Sequence, residues 1–407
     1  MNKQILRISI AGSVDDGKST LLGRLLFDSK QLNEDDIERI KNRSSIKGKL
    51  DYSLFTDGLK DEIAQGITID VAYRYFDTNN RKYIIADTPG HVQYTRNMVT
   101  GSSLASILIL LIDVEKGVLE QTKRHLFISS LMYIKHVIIC VNKMDKVDYN
   151  SENFYSIKEE IEKYISKLTT VDVNFIPISA INGENIINKS VSLNWYNGPS
   201  LFHLIENIHV SSDVNKIQSR MFIQNTIHFS GKRYLQGRVN SGIFRKNDQI
   251  LVHPNQSATV ISEIYYNMNK VESCYAPMSI SLTIKDNIDL SRGYLISKTN
   301  NLPKKSKLIE AMLCWTSEKS LNINKTYWIF SHGLKIKSKF SSIEYVYDIN
   351  NLERDTTKKE INVNDIFKSK LKLAQSIFYD SYSENKETGS FVVIDDENST
   401  VACGMIN

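Results

Sequence analysis

The run Gly12-Ser13-Val14-Asp15-Asp16-Gly17-Lys18-Ser19-Thr20 fits the spacing Gly-x4-Gly-Lys-Ser/Thr. An apolar strand-like run, Ile8 to Ala11, precedes it, and the helical pattern Leu21-Leu22-Gly23-Arg24-Leu25-Leu26 follows. Strand, glycine-bearing turn and helix start in that order make an anion cradle, because the unpaired N–H groups of a helix N-terminus point at phosphate oxygens. Lys18 can reach terminal phosphates, and the Ser19 hydroxyl can ligate Mg²⁺.

Four further segments decide which nucleotide chemistry this is. Asp87-Thr88-Pro89-Gly90 follows a strand-like run. Asp87 there can hold Mg²⁺ through a water, and Gly90 offers a backbone N–H to a γ-phosphate. In Gly66-Ile67-Thr68-Ile69-Asp70, Thr68 can give its hydroxyl to Mg²⁺ and its N–H to the γ-phosphate, but only while that phosphate is present, which makes the segment a switch. Asn142-Lys143-Met144-Asp145 follows another apolar run. The Asp145 carboxylate can accept from N1–H and the exocyclic amine of guanine, a donor pair that adenine lacks, so such a site discriminates against ATP. Asn142 can tie the loop to the base and the phosphate loop, and the Lys143 stem can cover the ring face. Ser179-Ala180 offers backbone N–H groups to the guanine O6. His91, next to Gly90, stands where a water-orienting residue is needed for in-line attack on the γ-phosphate; a surface histidine beside a turn is the alternative. The order of these elements predicts a guanine-specific, Mg²⁺-dependent switch that binds GTP, with His91, Lys18 and Thr68 as its catalytic residues.

These segments need a sheet to present them. Up to about residue 209 apolar β-type runs (6–11, 69–75, 82–87, 106–113, 136–142 and 174–179) alternate with helical stretches starting near Lys18, Asn33, Val92, Gln121 and Asn153. That alternation predicts a doubly wound, mainly parallel α/β sheet, whose ligands sit at the carboxyl ends of its strands. The polar stretch Ser211-Ser212-Asp213-Val214-Asn215-Lys216 reads as a linker. Beyond it, short β-type segments at 221–229, 234–239, 249–252, 258–264 and 278–283 predict a small barrel. Asn247 falls in a tight turn where Asn tolerates positive φ. A break near 298–305 leads into another β-rich stretch. The expected domains are 1–210, 218–300 and 304–407.

The 51 basic and 46 acidic residues of the 407 give a net charge of +5 with no dense basic run, so composition does not predict nucleic-acid binding. Cys140, Cys274, Cys314 and Cys403 are scattered and have no zinc spacing, which predicts buried reduced thiols in a cytoplasmic protein. The run 107–112 is too short to span a membrane, which takes roughly 20 apolar residues, and no apolar signal region opens the chain.

The residues resemble the translation-factor class of GTPases along the whole chain: switch domain, barrel and further β-domain, as in elongation factor Tu. His91, Tyr94, Asn97, Met98 and Gly101 are similar to that class after its Asp-x-x-Gly element. Within the class, Ser13 and Asp16 resemble the GTPase-subunit family of bacterial ATP sulfurylase (sulfate adenylyltransferase subunit 1) more than the elongation factors. So do Gln65-Gly66-Ile67-Thr68-Ile69-Asp70-Val71-Ala72-Tyr73-Arg74-Tyr75-Phe76, Gln93-Tyr94-Thr95-Arg96-Asn97-Met98 and Trp195-Tyr196-Asn197-Gly198-Pro199. Asp289-Leu290-Ser291-Arg292-Gly293 and Tyr347-Asp348-Ile349-Asn350-Asn351-Leu352 extend the match into the later domains. The resemblance implies two β-barrels after the GTPase domain. It also implies coupling of GTP hydrolysis to formation of adenosine 5′-phosphosulfate and pyrophosphate from ATP and sulfate. That step would be catalysed by a partner, sulfate adenylyltransferase subunit 2, in a heterodimer or larger assembly without membrane or nucleic acid. Some relatives carry a fused kinase domain; no second phosphate loop is visible here, so that activity is not expected. Ile63 and Ala64 replace a usual Arg and Glu, and Val92 a usual Glu, which touches coupling more than nucleotide contacts. Two other readings are an elongation-factor-like carrier of aminoacyl-tRNA and a scaffold that does not hydrolyse GTP.

Overall fold

The computed structural model describes residues 4–29, 38, 51–55, 71–88, 98, 101–102, 105–168, 172–210, 215 and 217–407. The chain divides into two units, one of residues 1–211 with Ile349–Leu352, the other of the remaining residues from Ser212 onward.

The first unit is built on a six-stranded sheet. Its strands are β1 (Gln4–Gly12), β2 (Ala72–Asp77), β3 (Arg81–Asp87), β4 (Ile107–Asp113), β5 (His136–Asn142) and β6 (Asp172–Pro177). Their order is β2-β3-β1-β4-β5-β6, parallel except at the β2 edge. Every residue of β4 is buried, as expected of a central parallel strand covered on both faces. The edge strand β2 instead alternates toward exposure and carries Arg74, which suits a position with one unpaired flank. The alternation in sequence thus yields the doubly wound sheet, with strand ends matching or shifted by at most three residues.

The helices α1 (Lys18–Asp28), α2 (Glu120–Leu131), α3 (Ser151–Ile165) and α4 (Leu201–Asn207) flank the sheet. α1 buries Leu21, Leu22, Leu25 and Leu26, the i, i+1, i+4, i+5 face the sequence promised. Gly23 on that helix is required by a close approach: a Cβ there would lie 1.9 Å from the carbonyl oxygen of Tyr52 in the short 3-10 turn Tyr52–Phe55. α3 is capped by Asn150, whose side chain accepts from the Glu152 N–H at 2.8 Å. It buries Phe154, Ile157, Ile161 and Tyr164. Helix starts expected near Asn33 and Val92 lie outside the described residues. α4, capped by the Ser200 side chain, was not anticipated; at 7 residues it is too short to show a period.

The second unit holds two closed barrels. In the first, an eight-stranded sheet closes where Gln249–His253 pairs with Ser257–Tyr266. In the second, a seven-stranded sheet closes where Tyr327–Ser331 pairs with Leu334–Asp348. Separate cores fill them: Met221, Leu235, Val239, Phe244 and Ile250 in one, Trp315, Phe340, Phe367, Leu371 and Val393 in the other. The segment expected as one strand at 221–229 is two, Arg220–Phe222 and Asn225–Phe229. Asn247 adopts φ 67°, the left-handed conformation expected of it. Arg220 is fully buried and grips Asp380 with both ends of its guanidinium, Nε–Oδ2 at 2.9 Å and Nη2–Oδ1 at 2.8 Å. Three of the four cysteines are buried as expected; Cys403 is only half-buried. Among the described residues no helix is long and apolar enough to cross a membrane.

Candidate functional site

The carboxyl ends of β1, β3, β4 and β5 bring the candidate residues to one edge of the sheet. β1 ends at Gly12 and the chain turns through Ser13–Asp16 into α1. Gly17 caps that helix at φ 91°, and a Cβ there would stand 2.5 Å from the Asn142 amide nitrogen. Glycine is needed on both counts. The buried Lys18 side chain folds back over the loop, its Nζ donating to the carbonyls of Gly12 at 3.0 Å and Ser13 at 2.7 Å. Val14 and Asp15 form the loop's outer turn, with Asp15 in the left-handed region at φ 64°. Ser19 and Thr20 occupy the first turn of α1, both half-buried. Asp87, buried, closes β3; the following Thr88 is pinned to β1, its Oγ1 donating to the Ile10 carbonyl at 2.6 Å.

Asn142 joins three loops. Its Nδ2 donates to the Asp16 carbonyl at 2.8 Å, and its Oδ1 accepts from the Ala180 N–H at 3.0 Å. Lys143 sits in the left-handed region at φ 64° and donates to Asp113 Oδ2 at 2.7 Å. Met144 is buried, and its N–H donates to the Ile178 carbonyl at 3.2 Å. Ser179 Oγ donates to Asp145 Oδ1, which fixes the carboxylate's rotamer. Gly17, Thr20, Asn142, Lys143, Asp145 and Ala180 line one cleft. The phosphate loop, the Asn142–Asp145 segment and Ser179–Ala180 therefore form a single surface. Thr68, Pro89, Gly90 and His91, with Ile63, Ala64 and Val92, lie outside the described residues.

Three features here escaped sequence reasoning. The Asp16 side chain, 2% exposed, accepts the Ser13 N–H at 2.6 Å, so a residue expected to offer only its backbone also braces the loop from inside. Lys116 donates to the Val14 carbonyl at 2.9 Å. Asp113 anchors Lys143; its place at the end of an apolar parallel strand was the available signal.

The electrostatics follow from burial. Burial lowers the Lys18 ammonium's pKa, against the opposing pull of Asp87, Asp16 and Asp15. Burial likewise raises the Asp16 carboxyl, with Lys18 and the Ser13 amide working against it. At Asp113 burial is again the largest influence and pushes upward. The Lys143 hydrogen bond, the Glu115 amide and the neighbouring lysines together outweigh it, and the carboxyl lies below its usual range. Ser13 Oγ and Asp16 Oδ1 are buried in the loop without a hydrogen-bond partner among the described residues.

Comparisons with known proteins identify the family. The family described as elongation factor Tu GTP binding domain matches residues 3–228, and the GTP-eEF1A C-terminal domain-like family matches 308–407. Sulfate adenylyltransferase subunit 1 of Bacteroides fragilis is 44% identical over 410 residues, covering 99% of this chain and 86% of that protein. Its namesake in Aliarcobacter butzleri is 42% identical, covering 100% and 88%. The bifunctional enzyme CysN/CysC of Mycobacterium tuberculosis is 41% identical, covering 99% of this chain and 67% of that protein. The solved S. cerevisiae Ski7 GTPase-like domain bound to GTP superposes with a TM-score of 0.56 at 18% identity, over 100% of this chain and 98% of that one, a likeness of fold. Site geometry and a near-full-length match converge: the chain belongs to the sulfate adenylyltransferase subunit 1 family of translation-factor-class GTPases.

Proposed function

We propose that this chain is the GTP-hydrolysing, regulatory subunit of a sulfate adenylyltransferase in sulfate assimilation. A separate catalytic subunit 2, in a heterodimer or larger assembly, would form adenosine 5′-phosphosulfate and pyrophosphate from ATP and sulfate. The observation that carries the reading is the 44% identity along 99% of the chain to a sulfate adenylyltransferase subunit 1. The reading puts the protein in the cytoplasm, where both nucleoside triphosphates are made. Its proposed domains are 1–210, 218–300 and 304–407.

The residues fit a guanosine nucleotide. Gly17 and Thr20 share one cleft with Asn142, Lys143, Asp145 and Ala180, and Ser13 Oγ is a buried polar atom with bonding capacity to spare. In the proposed site Gly12, Ser13, Val14, Asp15, Asp16, Gly17, Lys18, Ser19 and Thr20 wrap the phosphates, the free backbone N–H groups at the start of the helix facing them while the Ser13 N–H stays with Asp16. Lys18 exchanges its two carbonyl acceptors for phosphate oxygens. Asp145 reads the guanine amines, Asn142, Lys143 and Met144 hold that loop, and Ser179 and Ala180 meet the base O6. The donor set of Ser19 hydroxyl and Asp87 carboxylate is all oxygen, as a hard cation demands, so Mg²⁺ fits these two residues, with Thr68 as a third proposed ligand. Bound there, Mg²⁺ would supply charge neutralisation on the phosphates. His91 is assigned the attacking water, and Thr88, Pro89 and Gly90 the γ-phosphate side. Positioning and charge neutralisation supply most of the rate in such reactions.

The deciding experiment measures GTP hydrolysis by the purified chain with and without the catalytic subunit, ATP and sulfate. Turnover stimulated only by the full mixture supports the reading; co-purification with tRNA, and stimulation by it, would replace it. Asp145→Asn should move preference from guanine to xanthine nucleotides, because the amide reverses one hydrogen-bond polarity. Unchanged GTP selectivity would remove Asp145 from the base pocket.

A further inference from the structure

The last barrel places two thiols opposite one another. In the antiparallel pairing of Lys304–Trp315 with Thr400–Ile406, Cys314 is the direct partner of Cys403, and Met312 that of Met405. Ile309, Ala311, Leu313 and Trp315 on the first strand point into the barrel core, as do Ala402 and Ile406 on the second. Side chains alternate along a strand, so Met312, Cys314, Cys403 and Met405 form a patch of four sulfurs on the outer face. The cross-strand bonds Thr316 N–H to the Val401 carbonyl and Asn407 N–H to the Glu310 carbonyl set the phase of the ladder. Counting inward in steps of two from either bond makes Cys314–Cys403 a hydrogen-bonded pair. Such pairs hold their Cα atoms about 5.5 Å apart, inside the span a disulfide bridges, about 4.4–6.8 Å.

We propose that Cys314 and Cys403 are a redox-active dithiol, a modification site that a low-molecular-weight disulfide oxidises to an intramolecular disulfide. The two thiols are unequal in access: Cys314 is 4% exposed, whereas Cys403 is half-buried. That asymmetry sets the order of events. The Cys403 thiolate attacks one sulfur of the small disulfide, giving a protein–small-molecule mixed disulfide and releasing one small thiol. The Cys314 thiol, held against the mixed disulfide, then attacks Cys403 Sγ; the cross-strand bond forms, and the Cys314 proton passes to the second small thiolate as it leaves. Two protein thiols are oxidised and one disulfide is reduced to two thiols, so atoms and electrons balance. The ladder holds the resolving thiol beside the mixed disulfide, so the second step outruns the first. Cys140 and Cys274 serve as internal controls. Both are fully buried, and burial pushes the Cys274 thiol up to about 12 and the Cys140 thiol higher still, so neither supplies a thiolate near neutral pH.

The test treats the full native chain with oxidised glutathione and reads intact mass and non-reduced peptide maps. The wild type should lose two of its four thiols, yield one linked peptide pair containing Cys314 and Cys403, and carry no glutathione; dithiothreitol should reverse this. Cys314→Ser should accumulate a stable glutathione adduct on Cys403. Cys403→Ser should react at least tenfold more slowly than wild type, because only the buried Cys314 remains. A wild type that retains glutathione on Cys403 without the linked pair overturns the proposal, as does one that keeps all four thiols. The wild-type arm needs no variant to fold, and its outcome is independent of the nucleotide reading.

Discussion

Of the sites that bury charge among the described residues, two finish the job differently. At Arg220 the guanidinium, fully out of solvent, spends its donors on both Asp380 oxygens, the Ser219 and Asn301 carbonyls and the Asn301 side chain. Thr388 Oγ1 donates to Asp380 Oδ2 at 2.7 Å as well. At the phosphate loop, among the described residues, Lys18 donates only to backbone carbonyls of its own loop and Asp16 Oδ1 and Ser13 Oγ lack a partner, and burial works against both charges. Removing charge from water costs several kcal/mol per ion and is offset only by complete bonding. A completed network holds strands together; an incomplete one keeps its capacity for something that arrives later.

Breaking the completed network should have the largest effect. Asp380→Ala leaves the Arg220 charge buried without its carboxylate and should cost about 3–5 kcal/mol in chemical denaturation. GTP affinity of the folded fraction should be unchanged. A loss below about 1 kcal/mol would show that water reaches Arg220.

Lys18→Ala should do the reverse. Stability moves little, and GTP affinity in a fluorescent-nucleotide titration drops roughly 100-fold, or about 2–3 kcal/mol for a charged hydrogen-bonding partner. Equal losses in both measurements would make Lys18 structural.

Asn142→Ala touches both aspects. It strips a partner from the Asp16 carbonyl and the Ala180 N–H, at about 1–3 kcal/mol of stability, and should weaken GTP binding by roughly tenfold. Stability lost with affinity kept would separate the loops from the nucleotide.

The smallest effects are in pH dependence, and they have opposite signs. Asp113 titrates below its usual range in the folded protein. Its contribution is therefore complete above the unfolded carboxylate value, about 3.9, and is lost as pH falls through the lower folded value. Asp113→Asn should flatten that acid limb. Asp16 titrates above its usual range, so folding stability declines as pH rises from about 3.9 through the higher folded value. Asp16→Asn should raise the melting temperature of the nucleotide-free protein at neutral pH. Melting curves of both variants between acid and neutral pH check the pair of signs.

Much of this was legible from residue order. Glycine, lysine and serine at fixed spacing between a strand and a helix state a local geometry that needs little tertiary help, and β4 and β5 announce themselves as apolar runs. The barrels were read less completely. Strands as short as Ile243–Arg245 and Ser273–Tyr275 carry too few residues to show alternation, and they exist because they pair with each other. Contacts between distant segments were not readable: nothing near Asp380 in sequence predicts Arg220, and nothing near Asp113 predicts Lys143. The inward turn of the Asp16 side chain was also hidden, since an aspartate in a polar loop is ordinarily solvated.

One amide side chain, Asn142, touches both the Asp16 carbonyl and the Ala180 N–H. On the proposed reading those two atoms belong to opposite ends of the nucleotide's berth. A rotation of that single amide would unlatch sugar-distal and base-proximal walls together.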